Sequence, residues 1–129
     1  MSLDDARDLW SRAHNALKSA EVLLDVSPDD AASRAYYAVF HGVSAAFSLR
    51  DQTFKRHGAV RAAVHREWVK TGVWSVDLGA DFDAIWGLRD LGDYGGRRHV
   101  APEDARAAVE AARRILESVR SRFPELHLA

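Results

Sequence analysis

Apolar residues recur at helical spacing along almost the whole chain, and only three prolines, at positions 28, 102 and 124, interrupt them. A helix with one buried face repeats every 3.6 residues, whereas a half-buried strand needs strict alternation, and no alternating run is present. The pattern predicts an all-α protein. A first helix is expected over Leu3 to Val26, with Ala6, Leu9, Ala13, Leu17, Ala20 and Leu24 on one face. A second is expected from Ser27 to about Arg50. Ser27 is a suitable N-cap, Pro28 a first helical residue with no N–H to satisfy, and Asp29 and Asp30 suit the positive end of the helix dipole.

A polar connection, Asp51 to Arg56, precedes a third helix that carries Val60, Val64 and Trp68 on one stripe and ends at Gly72. The fourth starts near Ser75, runs through Leu78, Phe82 and Ile85, and stops after Tyr94 at Gly95-Gly96. The fifth opens at Pro102, buries a face from Ala105 through Val109, Ala112, Ile115 and Leu116 to Val119, and ends before Pro124. Helices of such unequal length without an internal period predict an up-and-down bundle of about five helices, with residues 1–129 as a single domain, and not a stacked repeat.

Composition narrows the function. The formal net charge of -1 means that any nucleic-acid contact must come from a local basic patch. The absence of cysteine removes disulfides, thiolate zinc sites and cysteine nucleophiles together. Met1-Ser2-Leu3 runs straight into Asp4-Asp5 without the basic and apolar regions of a signal peptide. No apolar run approaches the roughly 20 residues that cross a bilayer. A cytoplasmic chain with no membrane segment is expected. With no Glu-x-x-His, His-Glu-x-x-His or Gly-x-x-x-x-Gly-Lys in the chain, neither a metal nor a cofactor is expected.

Two segments break the amphipathic pattern. In the second helix, Tyr36, Phe40, Val43 and Phe47 form a core stripe, and Arg34, Tyr37, His41 and Ser44 form another beside it. A guanidinium, a phenol and an imidazole along one side suit contact with a phosphate or a base. The structural alternative is a helix boundary with apolar bodies inward and polar tips wet. In the fourth helix, Arg89 lies four residues after Ile85, within the apolar stripe. A buried guanidinium is costly unless paired, and Asp93 stands one turn on. Arg89 is read either as half of a structural ion pair or as a group facing a dimer seam or pocket, where it meets phosphate. The Arg97-Arg98-His99 triplet offers a further basic contact, or else an exposed loop.

The run Ala32-Ser33-Arg34-Ala35-Tyr36-Tyr37-Ala38-Val39-Phe40-His41 resembles the second-helix signature of the HEPN family, in its UPF-type prokaryotic branch. Leu88-Arg89 with Asp93-Tyr94 resembles that branch's Arg-x-x-x-Asp-Tyr element, and His57-Gly58 and Val69-Lys70-Thr71-Gly72 are also similar. The resemblance spans about residues 27 to 95. It implies a homodimer with a site at the seam, association with RNA or a nucleotide, and a nucleotidyltransferase partner in a toxin–antitoxin pair. It places Arg89, Asp93 and Tyr94 as catalytic candidates, with Arg34, Tyr37, His41 and His57 as nucleotide or RNA contacts.

In the family's ribonucleases an Arg and a His with four to six residues between them cut RNA without metal. The 2′-hydroxyl attacks phosphorus, His moves protons and Arg offsets charge on the phosphorane. This chain departs from that pattern, because after Arg89 the next histidine is His99, beyond Gly95-Gly96. Arg34 and His41 match the spacing formally but lie in the second helix. Three readings follow: a nucleotide- or RNA-associated module, a metal-independent endoribonuclease using Arg89, and a purely structural homodimer.

Overall fold

The computed structural model describes residues 3–127. Among them are five α-helices and no strand: α1 Leu3–Leu23, α2 Pro28–Ser48, α3 His57–Val64, α4 Val76–Tyr94 and α5 Pro102–Arg122. The expected all-α bundle is borne out, and α2, α4 and α5 start where Ser27-Pro28, Ser75 and Pro102 placed them. The Ser27 side chain accepts from the Asp30 N–H at 3.3 Å, and that of Ser75 from the Leu78 N–H at 3.1 Å. Pro102 opens α5 in the position where a missing N–H costs nothing.

Helix α2 is the central element and packs against α1, α4 and α5. It is buried on most sides; past its first turn, the partly covered positions include Tyr37, Phe40, His41 and Ser44. Tyr36, Val43 and Phe47 are fully buried, as the core stripe required, whereas Phe40, expected with them, is only partly covered because it lies at the edge where His57 stacks on it. Gly42 sits where α2 meets α1 and α5, and a Cβ there would run into Leu116. The missing side chain lets the helices close up.

The observed elements differ from the expected ones in three respects. Helix α1 ends at Leu23, whose carbonyl accepts from the N–H groups of both Val26 and Ser27. Its most buried face is Ala6, Trp10, Ala13, Ala16 and Ala20, while Leu9, Leu17 and Leu24 are only partly covered. The small residues face inward because they permit close approach. Second, α2 stops at Ser48, and the chain reverses through Asp51, which has φ 58°. Third, α3 continues into a π-helical turn, His65–Val69, closed by Lys70 N–H to the His65 carbonyl at 3.0 Å. That turn keeps Trp68 on the same buried side as Val60 and Val64, stacked on Phe47 with ring centroids 4.4 Å apart.

Candidate functional site

The end of α4 is pressed against the start of α2: a Cβ on Gly92 would stand 2.9 Å from the Asp29 carbonyl oxygen. One turn earlier, this contact sets Arg89 over Tyr36 and Tyr37. The Arg89 side chain is 16% exposed. Its guanidinium carbon lies 5.1 Å from the Tyr36 ring centroid, 5.4 Å from Tyr94 and 5.9 Å from Tyr37. Nη2 donates to the Tyr37 hydroxyl at 3.4 Å, Nη1 lies 3.3 Å from Asp90, and Nε lies 3.0 Å from Asp93. The Nε approach is an ion pair with no aligned hydrogen bond. Burial opposes the charge, but the Tyr37 hydroxyl, Asp93 and Tyr94 outweigh it, so the guanidinium pKa is raised. The available Arg89–Asp93 contact is formed, and three aromatic faces add cation–π attraction.

Tyr36 joins this cage to α3. Its hydroxyl lies 2.5 Å from His57 Nδ1, and the His57 ring stacks on Phe40 at 4.2 Å. Burial raises the Tyr36 pKa, so the phenol stays protonated and needs an acceptor. Donation to Nδ1 puts the proton of neutral His57 on Nε2. Burial, helped by Arg89, lowers the His57 pKa. The helical period alone makes Tyr36 a core residue; its hydroxyl is a site feature because α3 packs beside α2 and brings His57 to it.

The second stripe of α2 divides in space. Arg34 stacks its guanidinium on Tyr37 at 4.8 Å, so Tyr37 carries Arg34 on its ring and Arg89 on its hydroxyl. His41 turns toward α1, where it lines a cleft of about 270 Å³ with Arg12, Asn15, Ala16, Ser19 and Arg34. Ser44 instead lines a small apolar pocket with Leu9, Phe40 and Phe54. Arg12, Asn15 and Ser19 had no signal in the sequence, being ordinary polar residues on α1. In the basic triplet, His99 Nδ1 lies 2.6 Å from Asp29, whose other oxygen accepts the Val100 N–H at 2.7 Å. This ties the loop after α4 to the start of α2.

The model of the HEPN domain matches residues 6–122. The chain belongs to the HEPN family. It is 32% identical over 124 residues to a UPF0332 protein of Thermotoga maritima, covering 95% of this chain and 94% of that one. It is 28% identical over 98 residues, 75% of this chain and 67% of the other, to a Methanocaldococcus jannaschii protein named "Putative toxin MJ0142". Among the described residues of this HEPN chain, no helix is long and apolar enough to cross a membrane.

The histidines of this HEPN domain carry a pH prediction. His14, His41 and His57 all have lowered pKa values, in each case chiefly by burial. Below about 6.5 the unfolded chain takes up these protons before the folded one does, so acidification favours unfolding. Their stabilising effect is complete above that pH and is lost as pH falls through the lower folded values. Thermal midpoints should therefore stay nearly level from pH 7.5 to about 6.5 and drop from there to pH 5. A midpoint that rises over this range would contradict the assignment.

Proposed function

We propose that this HEPN chain is a toxin-type module that binds RNA or a nucleotide as a homodimer and is controlled by a nucleotidyltransferase partner. The observation that carries the reading is the half-buried Arg89 guanidinium, ringed by Tyr36, Tyr37 and Tyr94 and continued by Arg34 on the far side of Tyr37. Guanidinium groups alternating with aromatic faces suit a single-stranded nucleic acid, whose phosphates take the charge and whose bases stack. In a chain of net charge -1 such a face is a local feature, not a general one. The toxin name of the archaeal relative supports the same direction.

Asp93 and Asp90 already occupy Arg89, so a phosphate would have to displace a carboxylate. With no histidine after Arg89 in α4 to move protons, binding is favoured over turnover. The endoribonuclease reading is kept alive by one observation. His57 meets the hydroxyl of the same Tyr36 whose ring face Arg89 covers, which brings to Arg89 a candidate for the histidine that α4 lacks.

One experiment separates these readings: a mixed RNA pool is incubated with purified protein in EDTA, wild type beside Arg89→Ala, with binding measured in parallel. The expected outcome is no cleavage by either protein and RNA binding weakened about tenfold or more in the variant. Cleavage by wild type that is lost in Arg89→Ala would replace the binding reading with the nuclease one. Equal binding by both proteins would remove Arg89 from the site. The same preparation should sediment at twice the chain mass.

A further inference from the structure

The cleft between α1 and α2 is chemically unlike the Arg89 cage. Its lining brings two guanidinium groups, an amide, a hydroxyl and an imidazole to one place, with Ala16 as its apolar floor. No carboxylate lines it. Arg34 has no ion pair among the described residues and is held by the Tyr37 ring alone. Arg12 is bound to Asp8 at 3.0 Å, but both side chains are 63% exposed, and such a pair contributes little. His41 Nδ1 is buried without a hydrogen-bond partner among the described residues, a state that costs free energy. The cleft thus gathers positive charge and donors without the carboxylates that neutralise Arg89.

We propose that this cleft, lined by Arg12, Asn15, Ser19, Arg34 and His41, is a phosphate-binding subsite, and that it takes a phosphate of the same RNA or nucleotide that reaches Arg89. Arg12 and Arg34 supply charge, while Asn15 and Ser19 supply neutral donors to the remaining phosphate oxygens. Arg34 belongs to both places: it lines the cleft and stacks on the ring whose hydroxyl holds Arg89. A strand crossing Tyr37 would leave one phosphate in the cleft and direct the next toward Arg89. The identity of the ligand rests on the nucleic-acid reading above, whereas the affinity of the cleft for phosphate does not.

An anion in the cleft must also act on His41. Its pKa is lowered by burial and by the charges of Arg12 and Arg34, which line the same cleft. A bound phosphate offsets those charges, so the His41 pKa rises when phosphate binds.

The test uses the full chain and three probes: inorganic phosphate, adenosine monophosphate and a single-stranded RNA 12-mer. Each is titrated into wild type and into Arg12→Gln/Arg34→Gln, a surface double variant whose folding is checked by circular dichroism. We expect all three probes to shift the amide resonances of Asn15, Ser19 and His41 and to raise the His41 pKa. The double variant should bind the 12-mer about tenfold more weakly, with a salt slope shallower by about 0.7–1.4, the loss of one or two phosphate contacts. If phosphate and the monophosphate shift these signals but the 12-mer does not bind, the cleft stands and the RNA reading falls. If the 12-mer binds wild type and double variant alike with equal salt slopes, the proposal is overturned. Failure of every probe to move the cleft resonances overturns it equally.

Discussion

Tyr36→Ala should lower stability by about 3–5 kcal/mol, the range for removing a large buried aromatic side chain. Tyr36 is 2% exposed, and its ring is in contact with Tyr37, Phe40, His57 and Trp86, with Arg89 over one face. Truncation opens a cavity where α2, α3 and α4 meet and removes one wall of the Arg89 cage. Tyr36→Phe isolates the hydroxyl. It keeps the ring and leaves His57 Nδ1 without its partner, for a loss of about 1–2 kcal/mol. Chemical denaturation of the three proteins side by side measures both effects. A loss below 1 kcal/mol for the alanine variant would mean that Tyr36 is not the joint between these helices. A phenylalanine variant as stable as wild type would mean that the bond to His57 contributes nothing net.

Trp68→Ala should be comparably severe, at about 3–5 kcal/mol, for a different reason. Trp68 lies at the other end of the bundle, stacked on Phe47 and next to Trp74 and Phe123, with centroid separations of 4.4, 5.1 and 5.7 Å. The segment that carries it is a short helix ending in a π turn, and α3 makes few contacts with the rest of the bundle. This aromatic cluster is therefore its main anchor. Removing the indole should release residues 57–74 before the other helices unfold. Hydrogen exchange would show it as faster exchange in that segment than in α2 or α5. Uniform loss of protection across the chain would show instead that the segment unfolds only with the whole.

The two variants reach the site differently. Tyr36 touches Arg89 directly, whereas Trp68 acts on His57 only through the position of α3. Hence Tyr36→Ala should weaken RNA binding at temperatures where the protein is still folded, and Trp68→Ala should leave the Arg34–Tyr37–Arg89 face intact under the same conditions.

Much of this arrangement was legible in the sequence, because it lies within single helices. Ser27 with Pro28, Ser75 and Pro102 mark helix starts through backbone groups a few residues away, so local chemistry suffices. Tyr36, Val43 and Phe47 on one side and Arg34 and Tyr37 on the other follow from 100° per residue. Arg89 and Asp93 are one turn apart on one helix, and their contact follows from that alone. The HEPN resemblance came from the same continuous runs, residues 32–41 and 88–94, and the family match over residues 6–122 bears it out.

What spans two helices was not legible, since the rotation of one helix against another depends on all of their packed residues together. Periodicity placed Leu9 and Leu17 inward with Ala13 and Ala20. The close approach of α1 and α2 selected the alanines and left the leucines half-covered. That rotation put Arg12, Asn15 and Ser19 opposite Arg34 and His41, and so made a cleft from residues that look like an ordinary solvated face. The π turn, which carries Trp68 onto Phe47, and the placement of His57 beside Tyr36 were likewise decided by tertiary packing. The sequence by itself determined the helices, their caps and the pairs within each. Only the tertiary structure decided which polar residues of different helices meet, because that is settled by the fit of their buried faces.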